Sequence, residues 1–339
     1  MMRHVAANAL TVFIVLGLAL AGVIAWGASL YRAPGPHAQA VQVEIPRGAT
    51  LARASAIAEE AGVIADARLF RIGARYQGLA ARIQAGEFEV PAGASAEDVL
   101  RCFVDQSTCE RVAYAVAVIE GMTSWEVVQR LNALEELTGE IARIPPEGSL
   151  APNTYQAQRG EDRNALIARM TEAQSRIVAE AWVARDPDLP FETPYEALIL
   201  ASIIEKETAL EEERRRIAGV FVNRLRRGMR LQTDPTVIYG ITEGRGSLGR
   251  GLRRSELDRR TRWNTYQIDG LPPTPIANPG RAAIEAAVKP LPTRDIFFVA
   301  DGTGGHAFAE SYEEHLRNVA QWRRIEAERR RAEEDGATQ

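Results

Sequence analysis

Apolar positions are unevenly spaced along the chain, and each change of spacing predicts a different element. Residues 5–31, VAANALTVFIVLGLALAGVIAWGASLY, carry no charged side chain, and about 20 apolar residues suffice to cross a bilayer core as a helix. A single N-terminal membrane helix is therefore expected, with Trp26 and Tyr31 at its far end, where amphipathic rings favour the interface. YRAPGPHAQA has the composition of a short linker. After it, VQVEI alternates as a half-buried strand, LARASAIAEEAG and DARLFRIGARY have helical apolar spacing, and GEFEV alternates again. Strand, helix, helix, strand makes a small but complete α+β unit.

Three stretches, EIPRGATLARA, EVPAGASAEDV and VIEGMTSWEVV, repeat one device: strand, Gly-containing turn, hydroxyl N-cap, helix. Ser95 with Asp98 and Thr123 with Glu126 have capping-box spacing. From about residue 111 the pattern lengthens. VAYAVAVIEG predicts a strand, SWEVVQRLNAL a helix, and EDRNALIARMTEAQSRIVAEAWVAR a long amphipathic helix. Thr193, Pro194 and Glu196 supply N-cap, first-turn proline and capping-box partner for the next helix. Its apolar residues Leu198, Ile199, Leu200, Ala201, Ile203 and Ile204 cover every angular sector, as in a core helix. MRLQ is strand-like, DIFFVA reads as a buried strand, and the mixed-charge tail reads as a solvated helix end followed by disorder.

Composition narrows the function. The 339 residues carry a net charge of -4, which leaves no face-wide excess of Lys and Arg to neutralise phosphates and argues against a nucleic-acid partner. Arg3 before the apolar run predicts a cytoplasmic N-terminus, although Arg32 on the other side thins the bias. AQA at 38–40 resembles a signal-peptide cleavage site but lies far from a run that is long for a signal peptide, so a retained anchor is expected. Either way the bulk of the chain lies outside the cytoplasm. In that compartment Cys102 and Cys109 are free to form a disulfide or to remain separate small residues. His4, His37, His306 and His315 are not near them in sequence, and no metal motif results. No cofactor is expected.

The chemistry centres on LILASIIEKET, where an uncharged helix ends in Glu205, Lys206 and Glu207. Desolvation and the negative end of the helix dipole both disfavour an ionised Glu205, which predicts a raised pKa of the kind a general acid uses. The other reading is a helix-end glutamate satisfied by Arg or a backbone amide. Glu207 lies about 200° further round the helix, too far to share a site with Glu205; it is expected to pair with an Arg of EEERRR, with Lys206 solvated. FVNRLRRGMRLQTDPTVIYG and WNTYQIDGLPPTPIANPG offer hydrogen-bonding and aromatic side chains on proline-fixed loops, suited to a carbohydrate or to a rigid surface. Gln232, Thr233, Asp234, Tyr239, Asn264, Thr265 and Tyr266 are the candidate substrate-binding residues. Asp234 before Pro235 also fits a turn.

ASIIEKET, FVNRLRRGMRLQTDPTVIYG, WNTYQIDGLPPTPIANPG and FFVADGTGGHAFAESYEEH together resemble the endolytic murein transglycosylase family, also called YceG-like. The resemblance covers about residues 111–318. It implies an α+β fold with a single N-terminal transmembrane helix, a small LysM-like βααβ subdomain and a larger mixed α+β catalytic domain. The corresponding divisions are an anchor at 1–32, a linker at 33–40, the LysM-like part at 41–106, the catalytic part at 111–318 and a charged tail at 319–339. The implied activity is lyase cleavage of the β-1,4 bond between N-acetylmuramic acid and N-acetylglucosamine in nascent peptidoglycan, leaving a 1,6-anhydro end. The family's catalytic glutamate, first Glu of its EKE block, falls on Glu205, and His306 in GGHAF is expected as hydrogen-bonded support. Family standing alone implies partnership with penicillin-binding synthases. The sequence departs from the family pattern at Ala151 and Asn153, where EGSLAPNTY stands for a block with an acidic residue, at Thr274 in place of Gly, and at Leu316 in place of Asn. Other readings are a non-catalytic peptidoglycan-binding membrane protein and a muramidase-type hydrolase.

Overall fold

The computed structural model describes residues 2–336 as a mixed α+β chain with one long N-terminal apolar helix. That helix, α1 (Met2–Arg32), contains a span, Leu10–Arg32, long and apolar enough to cross a membrane, with none of its most apolar window buried by protein. The expected end of the tail, residues 337–339, lies outside the described residues. The chain forms two compact units, one running to Tyr114 and including Gln156–Glu161, the other comprising Ala115–Tyr155 and the chain from Asp162.

In the first unit follow β1 (Val41–Ile45), α2 (Leu51–Glu60), α3 (Ala67–Tyr76), β2 (Gly86–Val90), α4 (Ala96–Asp105) and β3 (Glu110–Arg111). The strands form one sheet in the order β1-β2-β3, antiparallel, with Val43 opposite Phe88. Period-two alternation puts Val43, Ile45, Phe88 and Val90 inside, where they meet Phe70 and Phe103 from the helices. Thr50, Asp66 and Ser95 cap the three helices, and Ser95 with Asp98 makes the predicted capping box. Cys102 and Cys109 are joined by a disulfide, which closes the question their spacing left open.

β4 (Ala113–Val118) and β5 (Asn153–Gln158) pair with each other. The second unit adds α5 (Ser124–Asn132), α6 (Arg163–Val183), α7 (Pro194–Glu207), α8 (Glu211–Arg226), α9 (Asp234–Thr242), α10 (Arg254–Asp258), α11 (Arg281–Val288), β6 (Phe297–Ala300), β7 (His306–Ala309) and α12 (Tyr312–Gly336). α7 is its axis. Thr193 caps it through the predicted box with Glu196, and every residue from Ala197 to Ile204 is buried. α6, α8, α9 and α11 all contact it. Burying each Leu or Ile of this run contributes about 1.5–3 kcal/mol, so the helix is held firmly up to its charged end.

Three local expectations are corrected. MRLQ forms no strand: the Arg224 guanidinium takes up the Leu231 carbonyl at 2.7 Å and the Ile296 carbonyl at 2.7 Å, so an irregular segment is satisfied without a sheet partner. DIFFVA does give a strand, β6, but in a two-stranded sheet with β7 and only half-buried. The charged tail continues α12 without a break to Gly336.

Candidate active site

Glu205 sits in the last turn of α7, where the buried run ends. Its Oε2 accepts a hydrogen bond of 2.9 Å from the backbone N–H of Gly280, the N-cap residue of α11. Burial pushes the Glu205 carboxyl above the usual glutamate value; the Gly280 N–H opposes this, the Glu120 carboxylate adds to it, and Arg214 and Lys206 oppose it. The carboxylate thus lies between two helix ends of opposite polarity, the C-terminus of its own helix and the N-terminus of α11. The first favours the protonated form, and the second favours the anion.

Asn278 fixes the loop that carries Gly280. It is fully buried, its Oδ1 accepts from the Leu150 N–H at 2.9 Å, its Nδ2 donates to the Met122 carbonyl at 3.0 Å, and its own carbonyl accepts from the Gly121 N–H at 3.0 Å. Gly121 has φ +79, in the left-handed region that glycine adopts without strain, and it abuts the side chains of Glu205 and Lys206. Lys206 is exposed as expected, yet its Nζ donates to the Gly121 carbonyl at 3.2 Å. Beside this turn, Glu147 accepts from the Ser124 N–H at 2.8 Å and the Tyr239 hydroxyl at 3.2 Å; burial raises its pKa, with the Ser124 and Tyr239 donors opposing.

A cavity of about 370 Å³ opens next to Lys206. Tyr239, Thr242, Ser247, Leu248 and Arg250 contribute to its wall. Tyr239 packs edge to face on Trp263 with centroids 5.5 Å apart, and the Trp263 Nε1–H donates to Thr274 Oγ1 at 2.9 Å. Thr274, one of the departures from the family pattern, therefore anchors an aromatic ring behind the cavity wall.

The remaining predicted residues divide into two groups. Gln232 and Asp234 are exposed, Gln232 with φ +52 and Asp234 accepting from the Tyr266 hydroxyl at 2.7 Å. Thr233, Asn264 and Thr265 form the second group. All three are buried: Asn264 Nδ2 donates to the carbonyls of Leu257 at 3.0 Å and Arg259 at 2.7 Å, and Thr265 Oγ1 meets Thr236 Oγ1 at 2.8 Å. The Thr233 hydroxyl donates to Glu207 Oε2 at 2.7 Å. Glu207 is thus satisfied by a threonine and not by an Arg of EEERRR, and its burial raises its pKa against the pull of that hydroxyl. Those arginines turn elsewhere, because the chain breaks helix at Thr208 and restarts at Glu211: Arg215 Nε donates to the Lys289 carbonyl and Arg216 Nε to Asp295. His306 Nδ1 lies 2.7 Å from Glu213 Oε2, a supporting contact. Asp234 opens α9 as its first residue. Among the described residues no group of three or more His, Cys, Asp and Glu is arranged to hold a metal ion.

Sequence reasoning missed Glu120, Glu147, Asn278 and Gly280. Two glutamates directly before Gly at turns were the local signal, but Tyr239 reaches Glu147 across 92 residues and Gly280 reaches Glu205 across 75, and no spacing rule extends that far.

The YceG-like family model matches residues 43–321. Two proteins of Streptococcus pneumoniae (strains D39 and R6), each named endolytic murein transglycosylase, are 29% identical over 327 residues, with 83% of this chain and 58% of theirs covered. A Bacillus subtilis protein of the same name is 26% identical over 327 residues, covering 88% of this chain and 89% of its own. This chain therefore spans little more than half the length of the pneumococcal relatives. A yceG-like protein of Listeria monocytogenes, solved as a 2.6 Å crystal structure, superimposes with a TM-score of 0.50 at 28% identity over 82% of this chain and 99% of that one. The family match runs from β1 into α12, through both compact units and the whole surround of Glu205, and the chain belongs to the YceG-like family.

Proposed function

We propose that this protein is an endolytic peptidoglycan lytic transglycosylase, with Glu205 as acid and then base. The observation that carries the reading is the setting of Glu205: partly buried at the end of a core helix, its Oε2 engaged by the Gly280 N–H, its Oε1 left for the proton in transit. In the first step Glu205 protonates the glycosidic oxygen as the bond from C1 of N-acetylmuramic acid breaks. In the second, the C6 hydroxyl of the same sugar attacks C1 and the Glu205 carboxylate takes its proton, regenerating the acid and closing a 1,6-anhydro ring. No water enters, so one carboxylate serves where hydrolysis needs two. The names of the pneumococcal and Bacillus subtilis relatives support murein as the substrate. Tyr239, at the cavity wall next to Lys206, is the favoured sugar contact, with Gln232, Asp234 and Tyr266 as outlying candidates.

On the same reading, the first unit after the anchor is a LysM-like subdomain and the second the catalytic domain. α1 anchors the chain in the cytoplasmic membrane with its N-terminus inside and the rest outside. Penicillin-binding synthases are the proposed partners. Digestion of peptidoglycan by the full-length protein in detergent, followed by mass spectrometry, tests the activity. Anhydro-muramoyl ends are the expected product; reducing ends, heavier by one water per cut, would mark a muramidase, and an undigested polymer a binding protein.

A further inference from the structure

A second carboxylate stands beside Glu205. Glu120 lies in the turn after β4, and its side chain closes over Gly280 so tightly that a methyl group built on that glycine would run into the Glu120 carboxylate. The same Gly280 donates its N–H to Glu205, so one residue without a side chain brings both carboxylates to the N-terminus of α11. Arg214 from α8 completes the group. Its Nη2 is 3.8 Å from Glu120 Oε2, its side chain is only 13% exposed against 47% for Glu120, and its buried Nε has no hydrogen-bond partner.

We propose that Glu120 is a positioning residue for Glu205: its negative charge adds to burial in holding Glu205 in the protonated form that can cut, and Arg214 limits that contribution. The inference rests on the reading of Glu205 as the acid. Two carboxylates in unlike settings divide their roles by environment. Glu205 is partly buried within α7, whereas Glu120 is exposed and ion-paired. The charged groups facing Glu205 are Lys206 on its own helix, Arg214 on α8, Glu120 after β4 and the N–H end of α11. Among these side chains only Glu120 opposes ionisation, acting alongside burial and the C-terminal end of α7. A like charge nearby raises a carboxyl pKa and an opposite charge lowers it, so removal of Glu120 and removal of Arg214 act on Glu205 with opposite sign. Arg214 acts twice, directly on Glu205 and by neutralising Glu120.

The test is the pH dependence of kcat/KM for glycan cleavage by the full-length protein in detergent, for wild type, Glu120→Gln, Glu120→Asp and Arg214→Gln. In Glu120→Gln the alkaline limb moves to lower pH, so the ratio of activity at pH 8 to that at pH 5 falls, by about three- to tenfold. Glu120→Asp restores the ratio, and Arg214→Gln moves the limb to higher pH. A purely structural lesion would scale the whole profile without moving its limb. Glu205→Gln is run in parallel. If it is inactive and the limb of Glu120→Gln stays in place, this inference alone is overturned; if Glu205→Gln cuts at the wild-type rate, the reading of Glu205 falls and the inference with it.

Discussion

The Gly280 N–H donates to Glu205 Oε2 at 2.9 Å, a contact spanning 75 residues that joins the end of one helix to the start of another. Gly280 has φ -72, which alanine adopts freely. The space for a methyl group, however, is taken by the Glu120 carboxylate, a flexible and exposed side chain that can move aside. Gly280→Ala is therefore expected to change stability by no more than about 1 kcal/mol while displacing Glu120, so that its pH profile shifts in the same direction as that of Glu120→Gln. Thermal melting and pH profiles together check this; a large loss of stability with an unmoved profile would contradict it.

Glu147 holds the Ser124 N–H and the Tyr239 hydroxyl in a buried setting. Removing it in Glu147→Ala leaves two donors without an acceptor, at a cost of about 2–4 kcal/mol. Glu147→Gln retains an acceptor and is expected to cost about half as much or less. Urea unfolding of the two variants reads the difference directly.

Burial raises the pKa of both Glu147 and Glu207 above the usual 4.5. A carboxyl that binds its proton more tightly folded than unfolded contributes stability that is full below the unfolded value and is lost as pH rises through the folded one. Between pH 5 and pH 8 the protein is therefore expected to lose stability on account of these two groups. Glu147→Gln and Glu207→Gln, which cannot ionise, should each show a smaller drop than wild type in denaturant titrations at the two pH values. An equal drop in all three proteins would contradict the assignment.

The Cys102–Cys109 bridge closes a loop with a sequence separation of 7. Loop-closure entropy for so short a loop amounts to about 2.5 kcal/mol. Reduction, or Cys102→Ala with Cys109→Ala, is expected to lower unfolding stability by roughly that much. The effect should appear in the first unit, which hydrogen exchange of the α4 and β2 amides can locate.

Local rules carried much of the fold. Ser95 with Asp98, Thr123 with Glu126 and Thr193 with Glu196 all form the capping boxes that their spacing predicts, because a capping box is made within four residues. The uncharged run of α7 likewise had no alternative but burial. Errors arose where a distant group settled the local structure. The Arg224 guanidinium, sent from α8, takes the carbonyls that would have made MRLQ a strand. The helix break at Thr208 separates Glu207 from EEERRR and leaves it to Thr233. At the site, Glu205 was legible from its own helix, whereas Glu120, Glu147 and Asn278 depend on contacts that only the folded chain creates. Asn264 and Thr265 have the chemistry of cleft residues, but their hydrogen bonds are spent on backbone and on each other's neighbours inside the fold.

The central claim is that the Glu205 proton cuts the glycan. Glu205→Gln keeps the size of the side chain and an oxygen for the Gly280 N–H, and removes only the acid. The most direct measurement is the rate of release of anhydro-muramoyl products from peptidoglycan by the full-length Glu205→Gln protein, with melting temperature recorded alongside. The account predicts an unchanged fold and a loss of at least a hundredfold in rate, the scale of positioned acid–base catalysis; anhydro product released at the wild-type rate would contradict it.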